Sequence, residues 1–421
     1  PAMEWGNEMS VAARTPADRP EDANVDIRVR LGASPVINLT GTLTTLGGIS
    51  ARPEAIEAAA AILGKGVDIA ELQASASRVI ARVTGAEAGF VSACSAAGIC
   101  MAIAGAMTGD SPAAIERLPE AAGLKNEVAI QTGHLVDYGH PIVQDIRLTG
   151  ARAVPFGAVN SATPAQLAGA IGPATAAALY VVSHHCAPDG QIPFADFVRV
   201  CHDKGVPVIV DLAAEYDVTG YLRAGADITI HSAHKFVGGA TAGIVAGRKA
   251  LVRAAFLQNY GIGRPMKVGK EGIAAAIVAL EAFAAEDRAA VRANLRAPLL
   301  CWQEAVRGVD GVRADLDPDP TGNPFDRLRV TILPDAGFAA ADVVHALEAG
   351  SPSIRVRTHQ MRDLLGDDAG LAAAGAGQHQ QRAIDVAHGG ELVGIELGHG
   401  VADRIGRHSV AAARNADSRT R

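Results

Sequence analysis

Short apolar segments alternate with alanine-rich helical segments from about residue 36 to residue 290. Five of the apolar segments carry β-branched or other apolar residues and end in small or polar ones, which predicts buried strands. These segments are EAGFVSA, EVAIQTG, AALYVVS, VPVIVDL and DITIHSA. The alternation is typical of βαβ units around a mostly parallel sheet, so we predict an α/β fold.

The rest of the chain predicts a division into further regions. Residues 1–35 are polar and rich in Pro, Asp and Arg, so we expect a loose N-terminal arm. The segment from GKEGIAAAIVALEAF to RAPLLCWQEAV has a helical pattern and predicts one long helix. This helix would lead from a large domain, 36–290, into a smaller α+β domain, 291–405. Residues 406–421 are expected to form a frayed tail.

Composition and charge narrow the classes of function. Of the 421 residues 49% are hydrophobic and 20% are charged, which is typical of a globular protein with a substantial core. The formal net charge of −7 argues against nucleic acid as the main partner. The uncharged stretch 157–188 is broken by Pro and Gly, which predicts helix, turn and buried strand instead of a membrane span.

The cysteines and the start of the chain favour a cytoplasmic location. The five cysteines form no C-x-x-C pair and are too sparse for a disulfide framework in a chain of this length. Reduced thiols are the rule in the cytoplasm. The first residues carry no recognisable secretory signal. We therefore expect five reduced thiols in a cytoplasmic protein.

Polar side chains follow each of the five predicted strands. In open α/β sheets, ligands bind in the crevice beyond the carboxyl ends of the strands, so these side chains are expected to share one site. They are Ser95, His134, the run Ser183-His184-His185-Cys186, Asp211, and the group Ser232, His234 and Lys235.

Lys235 and Asp211 are the residues with the strongest chemical implication. Lys235 follows a buried-type strand among small residues, and partial burial lowers the pKa of a lysine and favours a nucleophilic amine. A solvated lysine at a strand end is the common alternative. Asp211 ends an apolar strand, where a carboxylate needs a cationic partner or acts as a helix N-cap. A lysine Schiff base with an aspartate facing a protonated pyridine nitrogen is the protein contribution characteristic of pyridoxal phosphate.

Seven segments in order, within about residues 35–290, resemble a known family. They are VINLTGT, GAEAGFVSACSAAGI, GHLVDYGHP, VSHHCAPDG, VPVIVDLAAEYD, GADITIHSAHKFVGGATAGIVAGR and GIGRPMKVGKEGI. Together they look like the selenocysteine synthase-like branch of fold-type I pyridoxal-phosphate enzymes. Within that branch the chain most resembles ammonia-lyases that act on amino sugar acids such as D-glucosaminate 6-phosphate. The resemblance implies a seven-stranded, mostly parallel sheet, a smaller C-terminal domain and a homodimer or higher homo-oligomer.

The resemblance implies a role around the cofactor for each matching residue. Lys235 would form the Schiff base, Asp211 would pair with the pyridinium nitrogen and His134 would stack on the ring. A hydrogen-bonded strand-end histidine is the alternative for His134, and the sequence leaves it open. His184 would lie near the 3′ oxygen. The phosphate would be held by Ser95, Ala96 and Ala97, with Ser232 and His234 beside them.

The resemblance also implies residues that bind the substrate. The segment SPSIRVR resembles the part of the family whose arginine receives the substrate carboxylate, and its spacing from the proline favours Arg357 over Arg355. Thr40 in VINLTGT is a further candidate. Arg264 and Lys267 lie in a glycine-punctuated loop that would edge the site and bind an anionic group. A solvated basic turn is the alternative for this loop.

The histidines do not predict a metal site. Neighbours on a strand point to opposite faces, so His184 and His185 are not expected to chelate one ion together. No spacing of Cys and His completes a zinc site around His231 and His234. We predict no metal.

The predicted reaction is elimination of a β-hydroxyl from an amino acid or amino sugar acid, giving a 2-oxo acid and ammonia. A general acid must protonate the leaving hydroxyl, and the sequence leaves His184, His234 and Lys235 open for this role. Racemisation, aldol cleavage and selenocysteine synthase-like transfer start from the same stabilised carbanion and are alternatives. A non-catalytic metabolite-binding protein on the same fold is a second alternative. The segment HGGELVGIELGHGVADRIG resembles the family poorly, which leaves a phosphosugar and a smaller β-hydroxy amino acid open as substrates.

Overall fold

The computed structural model describes residues 26–187, 189–359 and the short strand at 392–395. Most of the predicted N-terminal arm, the predicted tail and much of the C-terminal part of the predicted small domain lie outside these residues. The strands are β1 (Val36–Asn38), β2 (Ala88–Ser92), β3 (Glu127–Gln131), β4 (Arg152–Phe156), β5 (Thr175–Val181), β6 (Val208–Asp211), β7 (Ile228–Ser232), β8 (Gly243–Gly247), β9 (Val312–Pro318), β10 (Asp326–Ile332), β11 (Ser353–Arg355), β12 (Arg357–His359) and β13 (Leu392–Ile395).

The helices lie between these strands and on both faces of the main sheet. They are α1 (Ile27–Arg30), α2 (Pro53–Leu63), α3 (Ile69–Thr84), α4 (Ser95–Thr108), α5 (Pro112–Arg117), α6 (Ile142–Leu148), α7 (Pro164–Ala170), α8 (Phe194–Asp203), α9 (Gly220–Arg223), α10 (Lys249–Leu257), α11 (Lys270–Ala284), α12 (Arg288–Ala305) and α13 (Ala340–Ala349). None of the described helices is long and apolar enough to cross a membrane.

The main sheet has seven strands in the order β2-β8-β7-β6-β5-β3-β4. The pairs β4-β3, β3-β5, β5-β6 and β6-β7 are parallel, and β8 is antiparallel to both β7 and β2. The five strands predicted from the sequence are β2, β3, β5, β6 and β7, so the predicted mostly parallel seven-stranded sheet is confirmed. The parallel order places the carboxyl ends of β5, β6 and β7 side by side, at the edge where ligands bind in this type of sheet.

Two apolar layers sandwich this sheet. Helix α4 is apolar on every side and is almost completely buried, because it packs between the sheet and α10. On the other side, α2, α3 and α11 pack together around Phe283 and Ile273. The N-terminus of α4 is thereby fixed at the end of β2, next to the carboxyl ends of the parallel strands.

The predicted single long helix is two helices. Helix α11 ends at Ala284 and α12 begins at Arg288. The break occurs at Asp287, whose carboxylate accepts hydrogen bonds from the backbone N–H groups of Ala289 and Ala290 at 3.0 and 3.1 Å. An aspartate is a preferred N-cap, so its side chain starts a new helix where the apolar periodicity alone predicts continuation.

A smaller α+β unit follows, built from a second sheet of order β12-β13-β10-β9 and from α12 and α13. Strand β1 does not join the main sheet and pairs in parallel with β11. Leu39 then packs with Ile332, Ala340 and Val356 in the core of this unit. The start of the predicted large domain therefore belongs in space to the smaller one.

The cysteines match the sequence expectation. All five have free thiols in the described structure, and two of them, Cys100 and Cys201, are buried. Burial raises the pKa of both thiols, so they behave as apolar core groups.

Candidate active site

A cavity of about 330 Å³ opens at the carboxyl ends of β5, β6 and β7 and at the N-terminus of α4. It gathers most of the residues that the sequence predicts for the site. Those that line it are Ser95, Ala96, His184, Asp211, Ser232, His234, Lys235 and Arg357. Residues from five separate segments thus meet in one place. Four of these segments follow predicted strands, and the fifth, which carries Arg357, comes from the C-terminal part of the chain.

Lys235 lies in a tight turn directly after β7. Its N–H donates to the carbonyl of Ser232 at 3.3 Å, and the N–H of Gly238 donates to the carbonyl of Lys235 at 2.9 Å. Burial lowers the pKa of Lys235, and the carboxylates of Asp211 and Glu215 partly offset this effect. The amine is therefore held at the cavity with an enlarged neutral fraction, as a nucleophilic lysine requires.

Asp211 ends β6 and is only 6% exposed. Burial raises the pKa of its carboxyl to about 6, against an ordinary value of 3.8, and the charge of Lys235 partly offsets the rise. One carboxylate oxygen accepts a hydrogen bond from the N–H of Ala213 at 3.1 Å. A further cation in the cavity would stabilise the ionised carboxylate.

The N-terminus of α4 provides an anion-binding end of the cavity. Cys94 caps the helix, and its Sγ accepts a hydrogen bond from the N–H of Ala97 at 3.4 Å. Ser95 and Ala96 line the cavity, whereas the predicted Ala97 is buried beneath it. The positive end of a helix dipole attracts phosphate and carboxylate groups, so this is the natural seat for an anion.

His234 also lines the cavity. Its Nδ1 lies 3.2 Å from the Oγ of Ser232. Its Nε2 is buried and has no hydrogen-bond partner among the described residues. Gly48 packs directly on this ring with a φ of 74°, and a Cβ at position 48 would lie 2.5 Å from Cδ2 of His234.

Arg357 and His184 form a pair in the cavity wall. Nη1 of Arg357 donates to Nε2 of His184 at 2.7 Å. Burial first, and the neighbouring Arg357 charge second, lower the pKa of His184 to about 3. His184 is therefore neutral and holds the guanidinium in place. Arg355 pairs with Glu348 at 2.9 Å and does not line the cavity, in agreement with the choice of Arg357.

The expectation that His184 and His185 point to opposite faces is wrong. Both residues lie in the turn after β5, where strand alternation no longer applies, and their rings lie 4.0 Å apart. Within residues 26–187, 189–359 and 392–395, no cluster of three or more His, Cys, Asp or Glu is arranged to hold a metal ion.

His134 does not reach the cavity. It is 2% exposed, its Nδ1 accepts a hydrogen bond from the N–H of Val181 at 3.0 Å, and its ring packs edge-on against Tyr180. Burial lowers its pKa to about 4. This geometry matches the alternative of a hydrogen-bonded strand-end histidine and gives no support to the predicted ring stacking.

The same loop supplies two cavity residues that the sequence reasoning missed, Tyr138 and His140. Asp145, buried at the start of α6, accepts a hydrogen bond from the Tyr138 hydroxyl and lies 3.2 Å from Nε2 of His140. A buried carboxylate thus orients an imidazole at the cavity wall. The available signal was a second histidine in the quoted motif GHLVDYGHP, followed by an aspartate on the next helix.

The remaining predicted substrate-binding residues do not line the cavity. Thr40 is buried, and both its N–H and its hydroxyl donate to Oδ1 of Asn38, at 2.9 and 2.8 Å. The next residues, Thr42, Thr44 and Thr45, line the cavity instead. Arg264 and Lys267 are exposed and do not line it.

The chain is similar over most of its length to proteins of one family. The family model described as SelA, L-seryl-tRNA selenium transferase, matches residues 36–297. The D-glucosaminate-6-phosphate ammonia lyase of Salmonella typhimurium is 38% identical over 337 residues, which cover 80% of this chain and 90% of that protein. The 5'-C-glycyluridine monooxygenase-decarboxylase of a Streptomyces species is 33% identical over 390 residues, which cover 90% of this chain and 97% of that protein.

The fold comparison leads to the same group. A solved structure of D-glucosaminate-6-phosphate ammonia-lyase superimposes with a TM-score of 0.73 at 38% identity, covering 79% of this chain and 90% of that chain. The resemblance carried by the seven sequence segments is confirmed. The chain belongs to the SelA family of fold-type I pyridoxal-phosphate enzymes.

Proposed function

We propose that the chain is an ammonia-lyase that eliminates a β-hydroxyl from an amino acid or an amino sugar acid resembling D-glucosaminate 6-phosphate, releasing a 2-oxo acid and ammonia. One observation carries the proposal: a single cavity joins the Lys235 amine, the Asp211 carboxylate, the N-terminus of α4 and the Arg357 guanidinium. The relative from Salmonella typhimurium, 38% identical to this chain, is named for this reaction.

The cavity fits pyridoxal phosphate at both ends. The buried Asp211 carboxylate suits a protonated ring nitrogen, and the N-terminus of α4 suits a phosphate. The unpartnered Nε2 of His234 is a buried polar atom that a bound group would satisfy. When bound, the cofactor supplies an aldehyde for Schiff-base formation and an electron sink for a carbanion at Cα.

Each residue of the cavity would then have a separate role in the reaction. Lys235 holds the cofactor and, once its amine is free, removes the α proton, for which its lowered pKa is suited. Asp211 keeps the ring nitrogen protonated. We assign the ring contact predicted for His134 to His140, because His140 lines the cavity and is oriented by Asp145.

Arg357 is expected to receive the substrate carboxylate, because arginine binds carboxylates through paired N–H donors. Replacing Arg357 with alanine should raise KM by about 30-fold or more, the loss expected when one partner of a buried charged hydrogen bond is removed. The control is Arg355→Ala, which removes a pair with Glu348 away from the cavity. Steady-state kinetics of both variants test this, and an equal change in KM for the two would contradict the assignment.

Gly48→Ala is expected to weaken cofactor binding by about tenfold, because the added methyl group displaces His234. Gly47 is a matched control, since its φ of 82° is also left-handed but its Cβ would meet nothing within 4 Å. Both variants should lose about 1 kcal/mol of folding stability from the left-handed backbone. Gly48→Ala should lose more than Gly47→Ala, because its Cβ would also lie 2.5 Å from the backbone carbonyl oxygen of His234. Only Gly48→Ala should show a raised Kd in a cofactor titration, and a raised Kd for Gly47→Ala as well would contradict the role of His234.

The proposed reaction is tested by product analysis on a panel of β-hydroxy amino acids and D-glucosaminate 6-phosphate. The expected products are a 2-oxo acid and ammonia in equal amounts. Racemised substrate would favour a racemase, and release of an aldehyde with glycine would favour an aldolase; either would overturn the lyase proposal.

A second candidate follows from the Streptomyces relative, which covers more of this chain and is named a monooxygenase-decarboxylase. Dependence on oxygen separates the two activities. The lyase proposal predicts the same rate of oxo-acid release in anaerobic buffer, whereas a monooxygenase would stop.

We further propose a cytoplasmic homodimer with a large domain at 36–290 and a small domain at 291–405, the first strand of the large domain, β1, being paired with the small one. The five free thiols support the location. Exposed apolar side chains on and after α2, including Ile56, Leu63 and Ile69, support association. Light scattering of the purified chain tests the dimer, and a monomer mass would exclude it.

A further inference from the structure

A smaller chamber of about 50 Å³ adjoins the main cavity on the side of the small domain. The two share four lining residues: Thr42, His184, Ala214 and Arg357. The chamber also contains Glu215, which follows β6 on the same loop as Asp211. A carboxyl group therefore faces the space next to Arg357 and within electrostatic range of Lys235.

Glu215 is held in an environment that keeps its proton. It is 8% exposed, and burial raises the pKa of its carboxyl to about 8. The neighbouring polar side chains of Thr321 and Asn323 counteract the rise, while the carboxylate of Asp319 adds to it. Glu215 is buried at the edge of the site, and the proposed reaction so far assigns it no role.

The proposed elimination needs a proton donor beside the β carbon, since hydroxide is a poor leaving group without one. Two of the three candidates left open by the sequence do not fit. Nε2 of His184 accepts from Arg357, and its pKa of about 3 leaves it unprotonated. The Nδ1 of His234 is engaged by the hydroxyl of Ser232, and burial lowers the pKa of this imidazole. Lys235 is engaged at the α proton.

We propose that Glu215 is the general acid of the elimination, an inference that rests on the proposed lyase function. Its carboxyl proton passes to the β oxygen as the Cβ–O bond breaks, and water leaves. The electron pair of the former Cα–H bond becomes the second bond between Cα and Cβ. Lys235 carries the α proton, and Glu215, left as a carboxylate, takes a proton from solvent after the product has departed.

The charges around Glu215 suit this cycle. Three cations, Lys235, Arg327 and Arg357, stabilise the carboxylate that proton transfer leaves behind. Two carboxylates, Asp211 and Asp319, favour its return to the protonated form. The other titratable groups that face it are His184 and Asp326 in the chamber wall, Tyr221 from α9 and Cys186 from the turn after β5.

The test compares Glu215→Gln with the wild-type enzyme and with Glu116→Gln, which alters an exposed glutamate on α5. Each enzyme is given a β-hydroxy substrate and its β-chloro analogue, since chloride leaves without protonation. For Glu215→Gln we expect kcat/KM to fall by about 100-fold or more on the hydroxy substrate and by less than about fivefold on the chloro analogue. Glu116→Gln should match the wild type on both.

Two further measurements guard against a merely structural effect. Glu215→Gln should still exchange the α proton of the substrate for deuterium in heavy water, because Lys235 and Asp211 are unchanged. In the wild type, kcat/KM on the hydroxy substrate should fall as pH rises through about 8, where Glu215 loses its proton, while the chloro substrate shows no such fall.

The outcomes separate this inference from the function on which it rests. Equal losses on the two substrates, loss of deuterium exchange, or an unchanged rate in Glu215→Gln would overturn the role of Glu215 and leave the lyase standing. Absence of oxo acid from every hydroxy substrate with the wild-type enzyme would overturn the lyase proposal, and this inference with it.

Discussion

Lys235→Ala is expected to lower kcat/KM by about 10⁴-fold and to remove the visible absorption of the bound cofactor. The variant lacks both the amine that holds the cofactor and the base that removes the α proton, and each contributes a factor of this order. The side chain is at a turn on the cavity wall, so its loss should leave the sheet and the melting temperature of the cofactor-free protein nearly unchanged.

Kinetics, absorption spectra and thermal melting of the variant measure these effects. Lys249→Ala is the matched control, because Lys249 is an exposed lysine at the start of α10. It should retain the absorption and the rate of the wild type. Unchanged turnover in Lys235→Ala would show that a different amine holds the cofactor and removes the α proton.

Asp211→Asn is expected to lower kcat by about 10²–10³-fold while the cofactor still binds. The amide is nearly the same size but cannot hold the ring nitrogen protonated, so the electron sink is weakened at the step that forms the carbanion. Deuterium exchange at the α carbon should fall by the same factor, because that step precedes loss of the hydroxyl. Exchange at the wild-type rate would contradict the assignment.

Although Asp211→Asn lowers kcat, it should not lower the stability of the cofactor-free protein at neutral pH. The folded state raises the pKa of Asp211 from 3.8 to about 6, so it binds an extra proton between these values. This contribution to stability is full below pH 3.8 and is lost as pH rises through 6. An asparagine does not ionise, so cofactor-free Asp211→Asn does not lose this stability as pH rises. At pH 7 it should melt at a temperature equal to or above that of the wild type. A clear fall in its melting temperature would show that the ionised carboxylate stabilises the fold.

The main sheet follows from the sequence because each strand is a short apolar segment that ends in small or polar residues, a pattern visible without tertiary contacts. The strand-end residues Asp211 and Lys235 then follow from topology, since parallel strands bring their carboxyl ends to one edge. The break at Asp287 was not predicted, because the helical periodicity is the same before and after it. A single aspartate side chain is enough to cap a new helix, and it leaves no other mark on the pattern.

The differences between the predicted and the observed positions of the site residues have a common physical origin. His134 and His140 lie in one loop, and the sequence does not tell which imidazole is turned inward to Val181 and which reaches the cavity beside Asp145. The same applies to Thr40 and its neighbours, where a side-chain bond to Asn38 decides the orientation. Glu215 was missed because its importance depends on burial beneath the small domain, a contact between residues about 100 positions apart along the chain.

Lys235 is expected to hold pyridoxal phosphate in the cavity between β6, β7 and α4. The most direct measurement is borohydride reduction of the cofactor-loaded enzyme followed by mass spectrometry of its peptides. We expect one reduced pyridoxyl group per chain, on the peptide that contains Lys235, and loss of the visible absorption on reduction. A label on a different lysine, or no label at all, would show that Lys235 does not hold the cofactor.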